Sequence, residues 1–318
     1  MKKTVLFTFL CLLMQLSRCF AQEIKQYTAQ LVLEAGAQLG EGPIWDSFNN
    51  RFYWVDIEKG FLHTYHPESE KTTSKEIGQR VSTVVPTRYG NVILGLEDGI
   101  YVYNLNTGRR YLMAHPEKDK PENRLNDGKC DPQGRFWIGS MHKKILPQRG
   151  ALYRLSPNFS IRKMLDSVSI SNGIVWTADG KILYYIDTPT QKVFAFDFDA
   201  KTGNISNRRV AIHIPEELGS PDGMAIDQND NVWIGMWGGG CVTHWNPKTG
   251  QLIGKINVPG AKNVTACAFG GKEMRQMFIT TAKEGISEAE LEQYPNSGHA
   301  FLVELDVVGQ QPHYFKER

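Results

Sequence analysis

Cross-linking chemistry is scarce in this chain. Only five of its 318 residues are cysteine, and none falls in a CxxC pair or in a Cys/His spacing suited to zinc. Once the leader described below is set aside, Cys130, Cys241 and Cys267 remain. An odd number excludes a fully paired framework, and a chain of this length can bury a core without staples. These three are expected as buried thiols in strands. Charge imbalance is missing too, because 36 Lys and Arg face 34 Asp and Glu. Residues 1–21 hold Lys2, Lys3 and Arg18 and no acid, so without them 33 basic residues face 34 acidic ones. That balance gives no electrostatic footing for nucleic acid or an anionic membrane surface. The expected partner is a small molecule. A G-x-S-x-G elbow is also lacking, which argues against serine-hydrolase chemistry. Sustained helical periodicity is absent apart from a brief candidate at Ser287 to Gln293.

The single long apolar run lies at the start. Lys2 and Lys3 precede Val5 to Leu16, and Cys19-Phe20-Ala21 forms a small-residue cleavage pattern. This is the arrangement of a secretory signal peptide, too short for a membrane anchor. The expected division is a signal peptide over 1–21 and one domain over 22–318. The mature chain is expected to be exported to a periplasm or secreted. Lipoprotein anchoring through Cys19 is a lesser alternative, since Arg18 stands where a small residue is wanted. No later run reaches membrane-spanning length.

The remainder is a repeat. Asp131-Pro-Gln-Gly-Arg-Phe-Trp-Ile-Gly139 returns as Asp227-Gln-Asn-Asp-Asn-Val-Trp-Ile-Gly235 and as Thr177-Ala-Asp-Gly-Lys-Ile-Leu-Tyr-Tyr185. Weaker copies run over Asp46 to Asp56, Thr87 to Gly95 and Phe269 to Thr280. Each places a Gly, Asn and Asp turn between two β-rich apolar runs, which is a hairpin signal. Third strands follow at Phe61 to Tyr65, Ile100 to Asn104, Gly150 to Leu155, Lys192 to Phe198, Cys241 to Trp245 and Ala300 to Leu305. Six units of about four strands, at a period of roughly 40–50 residues, predict an all-β, six-bladed propeller.

One position of the repeat changes chemistry. Five residues before the leading residue of each copy stand Glu41, Asn126, Asn172 and Asp222 in four units, with Ser82 and Val264 in the other two. In a propeller the starts of the innermost strands meet around the central channel. There the four oxygen-bearing side chains would form a ring of two carboxylates and two amides. Hard divalent cations suit such a set: Ca²⁺ is favoured by ligand type, with Mg²⁺, Mn²⁺ and Zn²⁺ as alternatives. Asn and Asp before Gly are ordinary turn residues one at a time; four at one repeat position are harder to assign to turns. Trp237 is a candidate wall of this ring or, equally, an ordinary blade aromatic. His142 is a possible base and, more simply, a hydrogen-bonded structural residue.

Leu39-Gly-Glu-Gly-Pro-Ile-Trp45, Arg124-Leu-Asn-Asp-Gly-Lys129, Ser171-Asn-Gly-Ile-Val-Trp176 and Ser220-Pro-Asp-Gly-Met-Ala-Ile-Asp227 resemble the senescence marker protein/gluconolactonase family, which includes regucalcin. The likeness runs from about Leu39 to Pro312. It implies a six-bladed propeller with a central divalent ion held by the residues matching Glu41, Asn172 and Asp222. It also implies substrate contacts at Arg124 and Asn126, and hydrolysis of a lactone, with organophosphate esters cleaved by related enzymes. Where sugar-lactonase relatives can carry an acidic pair, this chain has His142-Lys143-Lys144. That leaves a basic lip and a solvated loop as alternatives.

The expected activity is metal-assisted opening of a small cyclic ester, a sugar lactone first. Asp222 is the candidate proton-transfer residue, able to hold an ion with one oxygen and orient water with the other. The alternatives are a phosphotriesterase or arylesterase using the same ion, and a non-catalytic propeller that binds calcium or a ligand.

Overall fold

The repeated phrase is a hairpin organised by one side chain. In the computed structural model, which describes residues 24–317, Asp131 Oδ1 accepts the backbone amides of Gln133 (2.9 Å) and Arg135 (3.1 Å). Its other oxygen accepts the indole N–H of Trp137 at 2.9 Å. Asp227 repeats the arrangement with the amides of Asn229 (2.8 Å) and Asn231 (3.0 Å) and the indole of Trp233 (3.2 Å). One carboxylate thus closes the turn and satisfies the buried Trp that covers it, which explains the constant Asp-to-Trp spacing.

Six sheets stand in chain order around a channel. Their innermost strands are Gly40–Asp46, Val81–Pro86, Asn123–Cys130, Ser171–Trp176, Ser220–Ile226 and Asn263–Gly270, in blades 1 to 6. Within each blade the chain steps outward through antiparallel neighbours. The fold is an all-β, six-bladed propeller. Its ring is shut by the N-terminal segment. Gln30–Leu33 pairs antiparallel with Ala300–Glu304 to complete blade 6, while Lys25–Thr28 adds in parallel to Gln251–Asn257 at the outer edge of blade 5. The helical candidate forms one short helix, Glu288–Gln293, capped reciprocally by Ser287 and Glu290. The expected signal peptide over 1–21 lies outside the described residues.

Blades pack through apolar faces and, near the channel, through backbone. A Cβ on Gly139 of blade 3 would stand 1.7 Å from Ser171 Oγ of blade 4, so only glycine permits that approach. Further out, Trp137 meets Trp176 edge-on at 5.8 Å, bridging the same two blades. Cys130, Cys241 and Cys267 are buried, unpaired and in strands. At the far end of the channel, Gln310 to His313 cross beneath the innermost strands and cover a cavity of about 80 Å³. This strap is fastened by the fully buried Phe315, whose N–H donates to Pro86 O (3.0 Å).

Every innermost strand carries a register shift near its start. The shifts lie between Glu41 and Ile44, Val81 and Thr83, Leu125 and Gly128, Asn172 and Ile174, Pro221 and Met224, and Val264 and Ala266. Bulges re-aim a side chain away from the ordinary alternation of a strand. The oxygen-bearing column coincides with them.

Candidate functional site

Glu41, Arg124, Asn126, Asn172 and Asp222 all line one cavity of about 340 Å³ at the mouth of the channel. Four blades supply these five residues, and each is buried. Ser82 and Val264, from the remaining two blades, are buried but are not part of its wall. Leu39, Ile57, Met141, Ile145, Ile170 and Trp237 make the apolar sides, a size and mixture suited to a small organic ligand. Trp237 therefore takes the wall position anticipated for it.

Hydrogen bonds fix the amides. Arg124 Nη1 donates to Asn126 Oδ1 at 2.6 Å and to the Leu125 carbonyl at 3.1 Å. Asn126 Nδ2 donates to the Ser171 carbonyl (2.8 Å) and to Asn172 Oδ1 (2.9 Å). Asn172 Nδ2 in turn donates to Thr188 Oγ1 (2.7 Å), whose hydroxyl donates to Pro221 O (2.8 Å), next to Asp222. The chain of donors runs from blade 3 through blade 4 to blade 5. Such a network leaves each amide one orientation, because reversing any of them would oppose donor to donor.

The carboxylates lack comparable support. Glu41 accepts the Gly42 amide at 2.9 Å. Burial, with Asp127 beside it, raises the Glu41 carboxyl to about 8. Burial raises Asp222 well above the usual carboxylate range, and Glu41 and Asp127 add to this while Arg124 opposes it. Asp127 has one oxygen on the Gly128 amide (2.7 Å) and the other buried without a partner. Among the described residues no three His, Cys, Asp or Glu side chains group as a metal cluster. The donor set here is instead two carboxylates plus the Asn172 amide oxygen, with Asn126 alongside. Buried acids that repel one another are what a cation stabilises, and all-oxygen donors match a hard divalent ion. Glu41, Asn172 and Asp222 fit such a group.

Other expected features resolve differently. His142 is held by Glu122 (3.2 Å) and accepts the Lys144 amide on Nδ1 (3.0 Å), outside the cavity wall. Lys143 donates to Pro121 O (2.9 Å) and pairs with Glu97. Lys144 is exposed, and neither lysine lines the cavity. The loop is thus not a basic lip over the site. At the ends of the second strands, Asp56 accepts the amides of Gln38 (2.9 Å) and Leu39 (3.2 Å). Asp187 does the same for Ser169 (3.2 Å) and Ile170 (3.0 Å). Both clamp the incoming loop rather than face the ligand.

Two polar cavity residues escaped the sequence reading, Thr188 and Glu284. Ala282 in blade 6 holds the ladder position of Asp56 in blade 1. Glu284 is therefore the counterpart of Glu58, two residues past the strand end. Aligning the second-strand ends of the blades and reading two residues further on is the signal that exposes this acid pair.

Residues 39–283 match the family described as the SMP-30/Gluconolactonase/LRE-like region. The chain is 38% identical over 283 residues to the Bacillus subtilis protein called "Putative sugar lactone lactonase YvrE", covering 88% of this chain and 97% of that one. It is 35% identical over 292 residues to regucalcin of Xenopus laevis, covering 90% and 97%. Among solved structures it resembles a calcium-binding protein, regucalcin, from Agrobacterium tumefaciens. There the TM-score is 0.88 at 27% identity, covering 92% of this chain and 98% of that one.

Proposed function

The chain belongs to the SMP-30/gluconolactonase/LRE-like family, and from that premise we propose that it is a divalent-metal-dependent hydrolase that opens a sugar lactone. One observation carries the reading: two buried carboxylates from blades 1 and 5 share a cavity with an arginine and two oriented amides. Glu41, Asn172 and Asp222 would hold the cation, with Ca²⁺ favoured by donor type. A divalent cation bound there supplies Lewis acidity toward the ester carbonyl.

The chain's own groups do the rest. Arg124 has donors left beyond the Nη1 bonds described above, and these meet the carbonyl or ring oxygen of the lactone. Both Asn126 amide hydrogens are engaged, so its part is to accept a substrate hydroxyl on Oδ1. Water attacks the carbonyl carbon and gives a proton to Asp222. The ring C–O bond breaks, and that proton is delivered to the departing alkoxide oxygen, leaving a hydroxy acid. Leu39, Ile57 and Trp237 keep bulk water from the reacting atoms. Export to a periplasm or the exterior completes the proposal, on the strength of residues 1–21.

The calcium-binding description of the Agrobacterium relative favours a second reading, a propeller that binds calcium or a small ligand without turnover. A panel of lactones, aryl esters and organophosphates, assayed in chelator and after return of single ions, separates the readings. Ion-dependent lactone hydrolysis faster than phosphotriester or aryl ester cleavage is expected. Activity undiminished in excess chelator, with metal content verified as negligible, overturns the mechanism. Tight calcium binding without any turnover leaves the second reading standing.

A further inference from the structure

The acids around the cavity mouth are not equivalent. Glu58 is neutralised by Arg80, which donates from Nε at 3.0 and 2.9 Å and from Nη2 at 2.8 Å. Glu97 lies 3.7 Å from Arg80 Nη1 and pairs with Lys143. Glu284 lines the cavity, yet among the described residues neither of its carboxylate oxygens has a hydrogen-bond partner, and Oε2 is fully buried. Its backbone, by contrast, is held firmly. The Glu284 N–H donates to Gln38 O (2.9 Å), and the Glu284 carbonyl accepts from Asn263 Nδ2 (2.8 Å).

A buried acceptor without a donor costs free energy unless function compensates. We propose that Glu284 receives a ring hydroxyl of the substrate and so makes the cavity selective for hydroxylated over unsubstituted lactones. The inference rests on the sugar-lactone reading and assigns a residue to its hydroxyl selectivity. Asn126 accepts one hydroxyl and Glu284 is placed to accept a second; of the remaining walls, Leu39, Ile57, Met141 and Trp237 suit any apolar ring, and Arg124 addresses oxygen atoms that every lactone has. Rejection of a ligand lacking a hydroxyl is strong where a buried polar group is then left unpaired.

The test compares δ-gluconolactone with δ-valerolactone, which has the same ring size and no hydroxyls. Wild type is expected to prefer the hydroxylated ring. In Glu284→Met the ratio of kcat/KM values should fall by about ten- to a hundred-fold, the worth of one charge-assisted hydrogen bond. Glu284→Gln, which keeps an acceptor oxygen, should recover part of it, and circular dichroism should show both variants folded. Equal losses on the two lactones, or an unchanged ratio, overturn the proposal. If wild type hydrolyses neither lactone, the lactone reading fails by itself. Saturation-transfer NMR with 1,5-anhydroglucitol then decides: contact with wild type that Glu284→Met abolishes supports the hydroxyl site, and no contact with wild type removes it.

Discussion

Asn126 donates its side-chain amide to Asn172 Oδ1 across 2.9 Å, joining blade 3 to blade 4 at the rim of the cavity. Asn172 cannot turn over to escape this bond, since its own Nδ2 is engaged by Thr188 at 2.7 Å. The Asn172 oxygen proposed as a cation ligand is therefore aimed by a threonine that lies outside the proposed ligand set.

Thr188→Val removes that restraint while preserving shape. Affinity for the divalent ion should fall by about 10- to 100-fold, as when an outer partner of a ligand is lost. Titration calorimetry with Ca²⁺ measures it. Affinity within two-fold of wild type would show that Asn172 needs no orienting.

Asp222→Asn should lower kcat by roughly 10³-fold, the range of lost proton transfer together with a weakened ion site. It also relieves repulsion from Glu41 and Asp127, so the ion-free variant should melt no lower than ion-free wild type. Turnover within ten-fold of wild type, with ion content matched, removes Asp222 from the proton-transfer role.

Gly139→Ala forces a methyl group into Ser171. Since the Ser171 carbonyl also anchors Asn126 at 2.8 Å, both stability and kcat/KM should drop. A destabilisation of about 3 kcal/mol is expected from overpacking, read by denaturant titration. A neutral substitution would mean that the blades separate without resistance.

His63 supplies a pH dependence away from the cavity. It stacks on Trp54 at a centroid distance of 4.0 Å, and burial lowers its pKa to about 4, against the opposing charge of Asp56. The folded chain keeps the ring neutral while the unfolded chain protonates it near 6.5, so the unfolded state binds more protons between those values. Stability is complete above about pH 6.5 and declines as pH falls toward 4. After discounting for solvent screening of a partly exposed ring, His63→Gln should lose about 1–2 kcal/mol less than wild type over that interval. Parallel denaturation curves at pH 4.5 and 7 test this; identical losses contradict it.

How much of this could be read beforehand depended on whether a physical constraint repeats. Asp131 with Trp137 and Asp227 with Trp233 recur because the same hydrogen bond recurs, so blade count was legible. The column Glu41, Asn126, Asn172 and Asp222 was legible for a related reason: bulges near the strand starts hold a constant distance from the hairpin. Thr188 was not, because it belongs to a single loop and matters only through Asn172. The Lys143 ion pair with Glu97 was equally hidden, joining blades 2 and 3 across residues with no periodic relation. Likewise, nothing local to Lys25–Thr28 announces a parallel partner at Gln251–Asn257.

That last pairing has a kinetic meaning. The strands synthesised first are those whose partners are synthesised late, with Gln30 meeting Leu302. Contacts so distant along the chain impose a large loop-closure cost and slow folding. Until Ala300–Glu304 is made, Gln30–Leu33 has no partner and blade 6 ends in a bare strand edge open to intermolecular pairing. Closure of the circle is thus a late, cooperative event, and a nascent chain halted short of it carries its aggregation hazard at that rim.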